Sequence, residues 1–371
     1  MSAGHDSLEI VCRDSAPADW DTLLAADPAA DYFHTPHWSE AAGRSWPGVK
    51  PFWLCARQAG RLVGGMAAVR HTGRVARLES GLDGTSGGPL LDPTLEPARQ
   101  ETVFTSLLAA YLKERQGALP AVCLTFNAQH EARYGRLMRN HPEPWQRSEN
   151  PGAVVPLEGG PEQVAMTRMV GNKRNERNRA LRRGVSATAG NDPALLRAYY
   201  PFFEEACAVW GKVPTPLAFL EDLLRDRQRV YFVSVIHEGQ MLGGHLNLLY
   251  GGRAVAWNGV TDRRHARTLF PGTMSVWGDV VAGCERGARI LDLGGSGGVV
   301  SLERFKKYFG AETEERGHYV LEPASLKLLR GGKKILNRFR SADGGRRWHD
   351  EAAAADNATD TDNATDIGAD S

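Results

Sequence analysis

At 371 residues, 42% hydrophobic and 24% charged, the chain is long for one hydrophobic core and sufficient for two domains. No stretch approaches the ~18 apolar residues that a membrane span needs, and no CxxC pair or Cys/His cluster among the five cysteines fits a metal site. The formal charge of +1 is uneven: residues 327–347 carry eight Lys and Arg, whereas the acidic end from Asp350 carries neither, so the remainder is basic and suits a phosphate-bearing ligand or an anionic surface.

In chain order, Leu8–Cys12 reads as a strand, followed by a helix over Pro17–Ala26. Thr35 can cap a second helix that has Pro36 in its first turn. Phe52–Ala56 and Leu62–Val69 form a hairpin around Gln58-Ala59-Gly60, and a glycine-rich loop over 82–93 enters another strand. A helix over Glu96–Glu114, a strand over Ala121–Phe126 and a helix over Glu131–Arg139 complete a small α/β unit by about residue 150. The pattern then restarts. Ala153–Leu157 is a strand, Pro161–Arg183 one long helix, Val185–Ala189 a strand, and Pro193–Trp210 and Pro216–Arg225 are helices. Val230–His237 and Met241–Tyr250 form a hairpin around Glu238-Gly239, and Ala254–Val260 is a third strand. Thr273–Glu285 is a helix, Arg289–Leu293 a strand, Leu302–Phe309 a helix, and His318–Leu321 the closing strand of this second unit. The expected fold is a duplicated α/β (α+β) unit, with mixed central sheets flanked by helices over 1–152 and 153–323.

Beyond it, 324–340 has the pattern of a basic amphipathic helix, suited to peripheral contact with an anionic membrane surface. The composition of 341–371, with DNATD repeated, cannot bury enough to order itself. The N-terminal MSAGHDSLEIVCRD has no basic-then-apolar signal, so the expected location is the cytoplasm.

The chemistry centres on Arg289–Gly310. A short strand carrying Asp292 runs into Gly294-Gly295-Ser296-Gly297-Gly298, a loop whose backbone can approach a ligand closely. The helix after it places Lys306 beside the loop's N–H groups, where its ammonium could neutralise an oxyanion or a donor phosphate; a solvated lysine is the plain alternative. Asp292 could orient a substrate or cap its own loop. His245 and Asn247 share a strand face that could line an acceptor cleft, or form a structural hydrogen-bonded pair. Arg174 belongs to a basic helical stretch that fits either RNA phosphates or solvent.

ILDLGGSGG resembles the first motif of Rossmann methyltransferases, which bind S-adenosylmethionine, but too little ordered chain follows it for that domain. Read onward to F-K-K-Y-F-G-A, the segment resembles Fem-type peptidoglycan-bridge aminoacyltransferases and related tandem GNAT-fold acyltransferases of the cell envelope. Phe33–Trp38, Ser86-Gly87-Gly88-Pro89-Leu90, and the basic run from Asn172 to Val185 resemble further motifs of that family in the same order. The resemblance implies two GNAT-like domains and transfer of an acyl or aminoacyl group to an amine, with an envelope precursor or other small molecule as acceptor. It implies acyl-CoA or aminoacyl-tRNA as co-substrate, hence tRNA as a partner, with no tightly bound cofactor and no metal. It places Lys306 and Asp292 as catalytic groups. Trp38, Gly87, Gly88, Arg174, His245, Asn247, Arg263, Arg264, Arg267, Gly294, Gly295 and Ser296 become the binding set, the three arginines standing where GNAT folds hold donor phosphates. The Q/R-x-x-G-x-G/A pyrophosphate loop of ordinary acetyl-CoA enzymes is missing from the second unit, and so is the helical-hairpin arm of some bridge enzymes. A catalytically idle protein that binds a precursor or RNA in the same cleft is the alternative.

Overall fold

The computed structural model describes residues 7–72, 77–115 and 121–322. In chain order the strands are β1 (Leu8–Arg13), β2 (Val49–Gln58), β3 (Arg61–His71), β4 (Arg77–Ser80), β5 (Leu90–Leu91), β6 (Ala121–Phe126), β7 (Gln146–Glu149) and β8 (Gly152–Pro156). They continue as β9 (Ser186–Gly190), β10 (Val230–His237), β11 (Gln240–Tyr250), β12 (Arg253–Thr261), β13 (Ile290–Gly295), β14 (Glu312–Glu314) and β15 (Gly317–Leu321). The helices are α1 (Trp20–Ala26), α2 (Pro36–Ser45), α3 (Pro97–Lys113), α4 (Ala128–Arg139), α5 (Pro161–Thr167), α6 (Gly171–Arg182), α7 (Pro193–Trp210), α8 (Leu217–Leu223), α9 (Pro271–Glu285) and α10 (Val300–Lys307).

Both expected hairpins form, and for the same reason. Ala59-Gly60 and Glu238-Gly239 all adopt positive φ, the conformation of a tight two-residue turn whose twist matches the flanking strands. Thr35 Oγ1 accepts from Trp38 N at 3.4 Å, capping α2 behind Pro36.

The strands make two sheets of matching order. One runs β1-β2-β3-β4-β6-β15-β7, with β5 also paired to β3; the other runs β9-β10-β11-β12-β13-β8-β14. Position by position the two correspond, down to a single parallel pair, β4 with β6 and β12 with β13. The correspondence exposes an exchange. β8 follows β7 in sequence but sits in the second sheet, and β15 follows β14 but sits in the first. Thus His318–Leu321, expected to close the second unit, instead pairs with β6 and β7. The two linkers cross side by side: Pro151 holds Asn150 extended, and Asn150 N donates to Arg316 O at 3.3 Å where Asn150-Pro151 and Glu315-Arg316 pass.

The expected helix over Pro161–Arg183 is broken into α5 and α6. Met169 turns into the core, Val170 N donates to Tyr308 O at 2.9 Å, and Gly171 restarts the helix. The polar strands β7 and β14, and β4, have no counterpart in the sequence reading. The helix expected at 324–340 and the tail at 341–371 lie outside the described residues.

One core joins both sheets. Tyr32, Phe33, Trp38 and Ala42 of the first half pack with Tyr199, Phe219, Phe232, Leu246 and Leu248 of the second. Trp38 meets Phe219 and Trp257 edge-on, with centroids 5.1 and 5.0 Å apart.

Candidate active site

The second sheet opens where the first is filled. β12 and β13 pair only from Arg253 with Ile290 to Val255 with Asp292, although β12 continues to Thr261 and β13 to Gly295. In the first sheet the equivalent place beyond β4 and β6 is taken by the glycine-rich loop. Gly87 N donates to Thr125 O and Gly88 N to Ser80 Oγ, both at 2.8 Å. A Cβ on Gly87 would lie 2.4 Å from the Ser80 carbonyl carbon, so glycine is required for the loop to pack there.

α9 begins at the mouth of the second opening. Phe270, with φ +51, holds a left-handed conformation uncommon for a bulky residue, its ring buried beneath the Arg179 guanidinium. It aims α9 so that Gly272 N and Thr273 N have no hydrogen-bond acceptor among the described residues. The preceding turn carries Arg263, Arg264 and Arg267, all exposed, and is fixed by buried Asp262, which accepts from Arg264 N at 2.9 Å and from its guanidinium. Arg183 reaches the same loop through Thr268 O. Together these place several positive charges beside a helix N-terminus, an arrangement that can hold phosphate.

Deeper in, His245 of β11 lies opposite Gly259 of β12. Its Nδ1 bonds Asp279 Oδ2 on α9, and Asn247 Nδ2 donates to the other Asp279 oxygen at 2.8 Å. Asp279 and Asn247 are fully buried. The expectation that His245 and Asn247 share a face therefore holds, and both point at α9. Asp279, 34 residues from His245, is the member sequence reasoning missed; its one signal was a lone acid in the apolar run Ser275–Gly283.

The glycine loop stands on the opposite side of the opening. Lys306, 6% exposed, donates through Nζ to Gly294 O at 3.0 Å and Gly295 O at 2.8 Å. Burial pushes its ammonium down to about 8. Asp292 accepts from Gly294 N at 2.8 Å and pairs with Arg253 and Arg316, which also meet Glu314. Burial works against its charge, but Arg316 and Arg253 outweigh it and hold the carboxyl below its usual range. Ser296 follows in the loop, half-buried.

His245, the arginine turn and the glycine loop thus stand on elements that border the parting of β12 and β13, while Asn247 is buried behind His245 against α9. Arg174 is turned inward, donating to Met169 O and other carbonyls at the end of α5. Trp38 lies in the shared core, and Gly87 and Gly88 in the filled position of the first sheet.

Residues 167–307, which contain this opening, match the family model described as an acetyltransferase (GNAT) domain. No curated protein matches the chain in sequence. Among solved structures the chain is similar to FemX, with a TM-score of 0.63 and 11% identity over 85% of this chain and 98% of that one. It is also similar to a tandem GNAT protein from the clavulanic acid biosynthesis pathway, solved without AcCoA, with a TM-score of 0.55 and 16% identity over 85% and 98%. L-PGS from Bacillus licheniformis gives a TM-score of 0.55 and 12% identity over 89% and 98%. The second half is therefore a GNAT-type acyltransferase domain, and the whole is a tandem GNAT fold in which the two sheets share the same strand order.

Proposed function

We propose that the protein transfers an acyl group from acyl-CoA to an amine, with the donor lying between β12 and β13. The observation that carries this reading is the parted parallel pair with α9 and the arginine turn at its mouth: a slot for an extended thioester arm ending at a phosphate site. The first sheet supports it by contrast, since its equivalent slot is filled. An aminoacyl-tRNA donor is the second reading, and it needs a long basic track. Much of α6, which would supply it, is engaged internally: Lys173 with Glu176, Arg174 with backbone carbonyls, and Arg177 with Glu162 and the Trp277 ring. An envelope-precursor amine as acceptor follows from the family resemblance of the motifs. In this reading Lys306 and Asp292 hold the glycine loop in shape beside the donor.

Thermal-shift titrations with acetyl-CoA and with charged tRNA, each at two salt concentrations, test the reading. Acetyl-CoA should raise the melting temperature with a shallow salt dependence, because few phosphates are neutralised. A response to tRNA alone, falling steeply with salt, would replace the donor. No response to either would favour the idle binding protein.

A further inference from the structure

We propose that His245 is the general base of the transfer, with Asp279 its positioning residue. This rests on the opening being the transfer site and adds the group that turns the acceptor ammonium into a nucleophile.

His245 spends one ring nitrogen inside the protein, as His34 does on Asp31, but His34 is 2% exposed whereas His245 reaches the surface of the opening. Here Nδ1 is bonded to a fully buried carboxylate, so that nitrogen carries the proton and Nε2 presents its lone pair. Nε2 has no partner among the described residues, and the side chain keeps 18% exposure. Gly259 shows where the ring lies. A Cβ there would fall 1.4 Å from His245 Cδ2 and 2.1 Å from Nε2, so the imidazole occupies the space above β12 that a side chain would fill. That part of β12 lies beyond its last pair with β13, within the opening. Asn247 fixes the carboxylate, donating to Asp279 at 2.8 Å and to His245 O at 3.2 Å. Two further buried polar atoms, Asn247 Oδ1 and Ser275 Oγ, have no partner among the described residues. Ser275 is one helical turn from Asp279, so polar capacity beyond what folding uses clusters at this point.

The other elements leave the ring's charge to Asp279. β10 places Val233 opposite His245, and two residues earlier Tyr231, whose phenol burial and Asp279 keep protonated, with Arg286 over its ring. β12 presents Gly259.

In the reaction Nε2 takes one proton from the acceptor ammonium. The freed lone pair attacks the thioester carbonyl carbon, the C–N bond forms, and the C–S bond breaks with its electron pair on sulfur. The nitrogen's second proton leaves as the tetrahedral intermediate collapses and goes to sulfur, and the imidazolium returns its proton to solvent. One ammonium and one thioester give one amide, one thiol and one proton.

Diethyl pyrocarbonate, which acylates an unprotonated accessible imidazole nitrogen, tests this on the full chain, read by peptide mapping. His245 should be modified, saturating acetyl-CoA should suppress the modification at least tenfold, and Asp279→Asn or Gly259→Ala should alter its rate. An unreactive His245, or one whose modification acetyl-CoA leaves unchanged while still raising the melting temperature, would overturn the base and leave the donor site standing. If acetyl-CoA neither protects nor stabilises, both proposals fall. With acetyl-CoA and a panel of alkylamines, His245→Gln should lower kcat ~100-fold or more at similar KM for acetyl-CoA, and should remove the acid limb of the kcat/KM profile. Methoxyamine, unprotonated at neutral pH, should be spared most of that loss. An equal loss with both kinds of amine would make His245 structural.

Discussion

The ammonium of Lys306 sits between two carbonyls in a site that disfavours its charge, and this has a measurable sign. Its protonated form is less favoured in the folded chain, where it titrates near 8, than in the unfolded chain near 10.5. Between those values the unfolded chain binds more protons, so stability rises with pH across that window. Urea unfolding of the wild type and Lys306→Met should therefore diverge in favour of the wild type from pH about 8 to about 10.5; parallel curves would contradict the burial. At neutral pH, Lys306→Ala leaves two loop carbonyls without their donor and should cost ~1–3 kcal/mol. Exposed Lys307→Ala should stay within ~0.5 kcal/mol. A ~100-fold loss of turnover in Lys306→Ala with stability intact would instead give Lys306 the transition-state role that its place beside the loop suggested. Proximity to the loop was legible because one short α-helix, at about 3.6 residues per turn, follows the loop directly and carries Lys306. The direction of the ammonium was not, since it depends on which carbonyls Gly294 and Gly295 turn inward.

His130 belongs to a helix, but its effect is on how that helix docks to the glycine-rich loop. It approaches Pro89 O at 3.1 Å and Asn127 Oδ1 at 3.0 Å, and burial together with the neighbouring His34 pushes it down to about 4. From its ordinary 6.5 to about 4 the unfolded chain takes up the extra proton, so stability falls as pH falls through that window. His130→Gln should flatten this limb in a pH series of unfolding free energies, and an unchanged limb would place the acid sensitivity elsewhere. Among the strands, hairpins were readable from local turn chemistry, whereas β7 and β14 are short polar edges with no apolar alternation to betray them. The partner of β15 was unreadable for another reason: its apolar sequence demands neighbours on both sides without naming them. Val320 pairs with Cys123 on one side and Gln146 on the other. Val320→Pro should therefore raise amide exchange in 121–126 and 146–149 first; loss of protection confined to 152–156 and 290–295 would contradict the exchange.

At the scale of the molecule, the exchanged strands and the shared core around Trp38 leave neither half complete alone. Heat should unfold residues up to Leu321 in one calorimetric transition, with calorimetric and van't Hoff enthalpies equal, and two resolved transitions would argue for separable halves. The duplication was legible as a repeated order of elements, and the family motifs reached both halves. What makes the halves unequal was not, because it lies in the filled slot of one sheet and the open slot of the other. The exchange also sets a schedule for synthesis. The first sheet needs β15 between β6 and β7, yet the ribosome finishes β7 long before it makes residues 317–321. At ~5–20 residues per second the nascent first sheet waits on the order of ten seconds or more with two strand edges unsatisfied. A growing chain of this kind is exposed to pairing with its neighbours on a polysome, and would depend on whatever shields those edges until the last strand emerges.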